Sequence, residues 1–203
     1  MSSDDISVVL SDDRPPVDTL AVGVSEYGLA GLTAVDYLAD QHSMREVGHL
    51  RTSEPPFSTP FENGTPRHHT RRYVDEASSF AVLLGTAVRA AGSGRIARWR
   101  NCDRGEKTGG FRHYDAHRRP HRTRPGRPRP VLHCNADVSG IVSQRHRHQT
   151  IGNGFLDGLS AELVTRGIDE SLPTGVFTTP THPQAPDAAA AIRLLTALKE
   201  CHS

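Results

Sequence analysis

A basic, proline-rich segment in the middle of the chain limits most strongly what this chain can fold into. Residues 89–147 contain 15 of the 24 Lys and Arg residues but only 4 of the 23 Asp and Glu residues, so the segment carries a net charge of +11 and the remainder carries −10. From about residue 85 to residue 150 there is no helical stripe of apolar residues and few alternating runs. Regular structure is therefore predicted mainly for the two flanks.

Strand-like and helix-like patterns alternate in those flanks. The apolar runs of strand length are TLAVGV (Thr19 to Val24), SSFAVLLG (Ser78 to Gly85) and TGVFTTP (Thr174 to Pro180). A helical stripe follows the first run, with Ser25 as its predicted N-cap, and consists of Leu29, Leu32, Val35 and Leu38. The alternation predicts an α/β fold, a sheet flanked by helices, in a single domain spanning residues 1–203.

Two more helices are predicted towards the C-terminus. One contains Leu159 and Leu163 and ends at Gly167, a natural C-cap. The other begins after Asp187, the predicted N-cap, and its apolar face is formed by Ile192, Leu195 and Leu198. Between the first two strands, residues 54–72 hold four prolines and an Asn63-Gly64 pair, which exclude a regular helix and predict an ordered irregular loop.

Several classes of protein are disfavoured by what the sequence lacks. Three cysteines without a Cys-x-x-Cys pair make a secreted disulfide scaffold improbable, and neither a long apolar span nor a signal peptide is present, so a cytoplasmic protein without a membrane segment is expected. No Gly-x-Ser-x-Gly or Gly-x-x-x-x-Gly-Lys motif occurs, and Gly23, Gly28 and Gly31 do not have dinucleotide-binding spacing. We therefore predict a protein that is not an enzyme and needs no cofactor.

The basic segment leaves two ligand readings open. Its clustered arginines suit phosphate binding, so the alternative function is a basic nucleic-acid-associated protein that uses residues 112–148, although only Phe111 and Tyr114 are near for base stacking. Metal-ligating residue types also occur, but without Cys-x-x-Cys or His-Glu-x-x-His spacing, and adventitious binding is the favoured interpretation. These residues are His113, His117, His121, His133, Cys134, His146 and His148.

Three long motifs carry a resemblance to a known family. GVSEYGLAGLTAVDYL, TPFENGTPRHHTR and GNGFLDGLSAELVTRGID resemble the archaeal proteasome-assembly-chaperone family, especially its haloarchaeal members, over roughly Thr19 to Phe80 and Ile151 to Leu198. The resemblance implies a Rossmann-like, phosphorylase-like α/β domain without catalysis, which binds itself and proteasome α subunits. The charge of the basic segment alone would give at most non-specific binding of nucleic acid. Some members dock through a hydrophobic-Tyr-any tail, and LKECHS (Leu198 to Ser203) does not match it, so docking of that kind is not expected.

The resemblance also supplies the candidate partner-binding or motif residues. His68 and His69 are interpreted as packing or interface residues rather than metal ligands, and the Gly-Asn-Gly run as a structural turn rather than an anion site. The candidates are Gly28, Gly31, Phe61, Asn63, Gly64, Arg67, His68, His69, Gly152, Asn153, Gly154 and Phe155.

The middle of the chain has no match in the family, and its composition suggests why. GC-rich DNA read in a wrong frame yields Arg, Pro, Gly, Ala and His in abundance. With free choice of wobble bases, a slip of one nucleotide turns HRTRPGRPRPVLHCNADV (His121 to Val138) into TGPDQDDHAPFYIATQTY, which is acidic and contains a strand-like FYIAT. A compensated frameshift over about Gly85 to Thr150 is therefore expected, with a disordered or misfolded centre and possible loss of activity.

Overall fold

The computed structural model describes residues 6–25, 27–52, 58–86, 110–115, 131–134, 149–150, 155–156, 158–170, 173–182 and 185–202. Helices and strands both occur on each side of the basic segment. The helices are α1 (Ala30–Gln41), α2 (Gly158–Asp169) and α3 (Ala188–His202). The strands are β1 (Ile6–Leu10), β2 (Thr19–Val24), β3 (Arg45–Thr52), β4 (Phe61–Glu62), β5 (Thr65–Pro66), β6 (Thr70–Asp75), β7 (Phe80–Gly85), β8 (Gly110–Asp115), β9 (Val131–Cys134), β10 (Gln149–Thr150) and β11 (Thr174–Thr178).

Nine of these strands form one mixed sheet in the order β1-β3-β6-β7-β2-β8-β11-β9-β10. The four strands β7, β2, β8 and β11 are parallel neighbours, whereas β1, β3, β6 and β7 pair antiparallel. Strand β9 is antiparallel to β11 and parallel to β10. The predicted α/β fold, a sheet flanked by helices, is confirmed, and the three predicted apolar strands are β2, β7 and β11.

Three described stretches within residues 87–150 contribute strands to this sheet. Strand β8 lies between β2 and β11 in the centre, and β9 and β10 lie at one edge. The sequence predicts disorder or misfolding for this region, whereas these three stretches are ordered strands. The rest of residues 87–150 lies outside the described residues, and this includes the candidate metal ligands His117, His121, His146 and His148.

Helices cover both faces of the sheet. Helices α1 and α3 pack against each other and against the face that carries Ala21, Val82, Leu84 and Phe177. Helix α2 packs on the opposite face through Leu163, which belongs to a cluster with Val22, Val24 and Leu83. Because successive strand residues point to opposite faces, the continuous apolar runs of β2 and β7 supply both layers.

Close packing of α1 on β2 requires glycine at residue 23. A Cβ atom there would lie 2.4 Å from the Gly31 carbonyl oxygen and 2.6 Å from Cγ2 of Val35. Gly31 is itself buried on the inner face of α1. Gly23 and Gly31 are therefore residues at which the helix and the strand pack closely.

The helices differ from the predictions at two of their ends and in the buried face of α3. Helix α1 begins at Ala30 behind a left-handed Leu29 (φ 50°) and has no side-chain cap, so the predicted N-cap at Ser25 is wrong. The predicted C-cap at Gly167 is also wrong, because α2 continues past this buried glycine to Asp169. In α3, Ile192 is 62% exposed, and the buried stripe is offset to Ala190, Ala191, Leu194, Ala197 and Leu198.

Asp187 joins the start of α3 to two loops, and the predicted N-cap is confirmed. Its Oδ1 accepts a hydrogen bond from the Ala190 amide at 2.9 Å, and its Oδ2 accepts one from the His182 amide at 3.0 Å. The Asp187 amide donates to the Gly28 carbonyl at 2.9 Å. Gly28 has φ 67° and lies so close to this loop that a Cβ would be 2.8 Å from the His182 carbonyl oxygen. Gly28 is thus a loop-packing residue.

Replacing Asp187 with alanine is expected to lower the free energy of unfolding by about 1–2 kcal/mol, the usual cost of losing a side-chain cap. Partial burial raises the pKa of this carboxyl, but the hydrogen bonds from the Ala190 and His182 amides outweigh that effect and the pKa is lowered below its ordinary value. The stabilisation should therefore be complete at neutral pH and fall as the pH drops through the lowered pKa. Urea unfolding at pH 7 and pH 3 checks both points. Asp187→Asn, which keeps one acceptor, should lose less at pH 7, and an equal loss would contradict the capping role.

Candidate functional site

A short β-hairpin presents the central group of candidate residues. Strands β4 and β5 pair through Phe61 with Pro66 and Glu62 with Thr65. The connecting residues Asn63 and Gly64 both have positive φ, 48° and 77°. Two left-handed residues in succession are the requirement of a two-residue type I′ turn, for which Asn-Gly is the favoured pair. The predicted turn is confirmed, and it closes a hairpin within the loop.

The hairpin segment, residues 58–69, is tied to the sheet at its base. The Arg67 amide donates to the Pro60 carbonyl at 2.9 Å and closes the segment. The His69 carbonyl then accepts hydrogen bonds from the amide and the hydroxyl of Thr86, at 2.7 and 3.0 Å. Thr86 directly follows β7, so the hairpin segment leaves the sheet at the carboxyl ends of its parallel strands. In α/β sheets this is the edge where binding sites ordinarily form.

A layer of ionic contacts lies beneath the hairpin. Glu62 accepts from Arg71 at 2.6 Å and lies 3.2 Å from Arg67, and Arg67 also lies 3.7 Å from Glu46 on β3. Arg71 is buried on β6, where it donates to the Tyr73 hydroxyl at 2.6 Å and its guanidinium carbon lies 5.5 Å from the centre of the Tyr73 ring. Burial, offset in part by the Arg71 charge, raises the pKa of Tyr73 to about 12. A buried cation thus holds the hairpin through Glu62.

Two histidines stack between the hairpin segment and β3. The rings of His49 and His68 have centroids 3.6 Å apart and an angle of 4° between their planes. The Nε2 atom of His49 is buried and has no hydrogen-bond partner among the described residues. Burial, together with the neighbouring His68 and Arg51, lowers the pKa of His49 despite the opposing Glu46 charge. The His68 ring therefore makes a packing contact, and His69 holds the base of the segment.

The hairpin leaves an aromatic side chain in solvent. Phe61 is 68% exposed, and Asn63 and Gly64 beside it are exposed as well. Phe155, just before α2, is 91% exposed, whereas Gly152, Asn153 and Gly154 lie outside the described residues. The structure thus brings Phe61 to His69 together in one ordered element and leaves Phe61 on its outer surface.

Four residues that organise this site are missing from the sequence-based set: Glu46, His49, Glu62 and Arg71. Glu62 and Arg71 lie on either side of a turn motif, and opposite charges flanking a turn were the available signal. Glu46 and His49 belong to β3, and the pairing of β3 with β6 in the sheet brings them to this site. An open groove of about 430 Å³ lies beside them, lined by Val9, Leu10, Ser11, Glu46, Gly48, His49 and Arg67.

Around the hairpin, an exposed aromatic side chain lies beside paired charges. Within the described parts of the chain, no three His, Cys, Asp or Glu side chains are grouped closely enough to hold a metal ion. The candidate ligands His113, His133 and Cys134 belong to β8 and β9. None of the described helices has an apolar stretch long enough to cross a bilayer. Phe61 is exposed on a hairpin that the buried Arg71 holds through Glu62.

The chain is similar to known proteins in both sequence and fold. A family model described as the PAC2 family matches residues 20–203. No curated protein matches the sequence. Among solved structures, PbaA of Pyrococcus furiosus, described as an archaeal homolog of proteasome-assembly chaperone, aligns with a TM-score of 0.79 at 14% identity, over 98% of this chain and 86% of that one.

Two further structures have the same fold. PbaB of Pyrococcus furiosus, described as an archaeal proteasome activator, aligns with a TM-score of 0.78 at 14% identity, over 98% of this chain and 89% of its own. A Thermoplasma acidophilum protein of unknown function aligns with a TM-score of 0.77 at 16% identity, over 94% and 78%. At these identities the likeness establishes the fold.

Proposed function

The chain belongs to the PAC2 family, and from that premise we propose that it is a non-catalytic binding protein of the proteasome-assembly-chaperone type. Its fold is that of solved structures described as a proteasome-assembly-chaperone homolog and a proteasome activator. The proposed partners are proteasome α subunits and further copies of this chain, and the whole of residues 1–203 acts as one domain. A cytoplasmic location, in a salt-rich haloarchaeal cell, is part of the same proposal, which the acidic flanks support.

The observation that carries this proposal is the exposure of Phe61 on an ordered hairpin. A large aromatic side chain in solvent is a typical anchor of a protein–protein interface, provided that the backbone beneath it is already fixed. Here the type I′ turn fixes the backbone, and the contacts of Glu62 with Arg67 and Arg71 fix the hairpin against the sheet. Little conformational entropy would be lost when a partner covers Phe61.

Replacing Phe61 with alanine should weaken binding at least tenfold, as is usual for an aromatic anchor at the centre of an interface. The measurement is isothermal calorimetry with proteasome α subunits of the same organism, with sedimentation velocity of the protein alone for self-association. Ile168, which is 61% exposed on α2, provides the matched control. Binding by Ile168→Ala should equal that of the wild type. Equal affinities of Phe61→Ala and wild type would contradict a partner surface at the hairpin.

For the basic segment we propose a translation frame that differs from the ancestral one. Strand β8, GFRHYD, sits between β2 and β11, with Arg112 in register with Ala21 and Gly175, and His113 with Val22 and Val176. A central parallel strand is ordinarily a continuous apolar run, as β7 is. In the shifted frame, FYIA stands at residues 131–134, the bounds of β9.

Resequencing of the genomic DNA from Phe80 to Phe155 tests this frame. One open frame that encodes an acidic, strand-forming middle would support the frameshift and an ordinary family member. Confirmation of the present bases would reject it. The segment would then need a function of its own, and nucleic-acid binding that falls steeply with added salt would identify one.

A further inference from the structure

The stacked His49 and His68 rings join the hairpin segment to the sheet through a titratable contact. His49 belongs to β3, in register with Arg71 of β6 and Val9 of β1. His68 belongs to the hairpin segment, one residue after Arg67. Face-to-face stacking at 3.6 Å suits neutral imidazoles, since two imidazolium ions at this separation repel each other.

The charges around the pair determine how it responds to protons. Arg51 on β3 adds positive charge near His49, Arg67 lines the same groove and Arg71 is the register partner of His49 on β6, whereas β1 contributes the neutral Val9 and Ser11. The opposing carboxylates are Glu46 and Glu62. Both lie within ion-pair distance of a guanidinium, Glu46 of Arg67 and Glu62 of Arg67 and Arg71. Protonation of His49 would therefore add a positive charge to a site whose two carboxylates are already paired with guanidinium groups.

Burial of the His49 Nε2 atom also disfavours protonation of this ring. Protonation would make this nitrogen a charged donor, and it has no acceptor among the described residues. A buried, charged donor without a partner is strongly unfavourable. The ring could acquire a proton and a hydrogen bond to water only if the segment above it moved away.

We propose that the stack of His49 on His68 is a pH-sensitive latch, which holds the hairpin segment on the sheet while the His49 ring is neutral and releases it when that ring is protonated. The lowered pKa of His49 agrees with the required sign. Because the attached form binds protons less readily than the released form, attachment is complete above the ordinary His pKa of about 6.5 and weakens as the pH falls below it. The latch itself does not depend on the proposed function. Only its consequence for binding does, because release of the hairpin segment would remove Phe61 from its fixed position.

Hydrogen exchange of the protein alone tests the latch without any partner, so its result is independent of the proposed binding function. Amide exchange of residues 61–69 is measured at pH 7.5 and pH 5.5, corrected for the intrinsic pH dependence, and compared with that of β2 and β7. We expect protection of the hairpin segment to fall severalfold at pH 5.5, up to the limit of about tenfold for one histidine with a pKa of about 6.5 in the released form, while β2 and β7 remain protected. Equal protection of the segment at the two pH values would overturn the proposal.

Two histidine variants separate the latch from general acid effects. His68→Gln removes the exposed partner of the stack and leaves the buried residues of β3 in place, so the ratio of protection between the two pH values should fall to within twofold of one, whatever its absolute level. His42→Gln changes a histidine that lies 3.8 Å from Asp75, at the far end of β6, and should keep the wild-type ratio. A wild-type ratio in His68→Gln would show that other groups drive the change and would reject the latch.

Discussion

Replacing Phe177 with alanine is expected to lower the free energy of unfolding by about 4 kcal/mol, which is typical of truncating a fully buried phenylalanine. The side chain is 1% exposed and belongs to the core cluster shared by α1, α3 and the strands β2 and β7. Its removal would leave a cavity between layers that cannot easily move together. For a chain of this length the loss corresponds to a fall in melting temperature of roughly 8–16 °C, measurable by differential scanning calorimetry.

The matched control is the same substitution on the surface. Phe61→Ala removes an identical set of atoms from a side chain that is mostly in solvent, so its unfolding free energy should lie within about 0.5 kcal/mol of the wild-type value. Similar losses at the two positions would mean that Phe177 is not at the centre of the core.

Gly23→Ala is expected to cost about 3 kcal/mol, at the upper end of the usual range for overpacking a core. The added methyl group would collide with a backbone oxygen, that of Gly31, so that no change of side-chain rotamer can relieve the contact. Helix α1 would have to move away from β2, and the Val35 contact would be lost with it. Chemical unfolding monitored by circular dichroism gives the free energy.

Gly64→Ala distinguishes a steric clash from backbone preference. No atom lies within 4 Å of a Cβ built at Gly64, so the whole cost there comes from its left-handed φ of 77° and should be about 1 kcal/mol. A cost at Gly23 no larger than that at Gly64 would contradict the close approach of α1 to β2.

The sequence predicts the strands of the flanks better than the ends of the helices, for a physical reason. A parallel strand buried on both faces is ordinarily a mostly apolar run, and TLAVGV coincides with β2 from its first residue to its last. A helix start depends on which residue can turn the chain. Leu29 does so here with a left-handed backbone, which leucine rarely adopts and no sequence pattern signals.

The candidate site divides in the same way. The Asn63-Gly64 turn is predictable, because the backbone geometry of a type I′ turn selects these two residue types. The stack of His49 on His68 and the burial of Arg71 beneath Glu62 are not, because each needs the register between β3 and β6 to bring together residues that are distant in sequence. Local chemistry thus determines the hairpin, and tertiary pairing determines what holds it.

The packing of α1 against α3 has a consequence for how the chain acquires its structure during synthesis. Helix α1 and strand β2 are made early, but the surface that they bury is completed by Phe177 and Leu194, which are added more than 130 residues later. Until then their apolar face stays open to water, and contacts between such distant residues form slowly. The apolar face of α1 and β2 is therefore fully covered only after the last helix has been made.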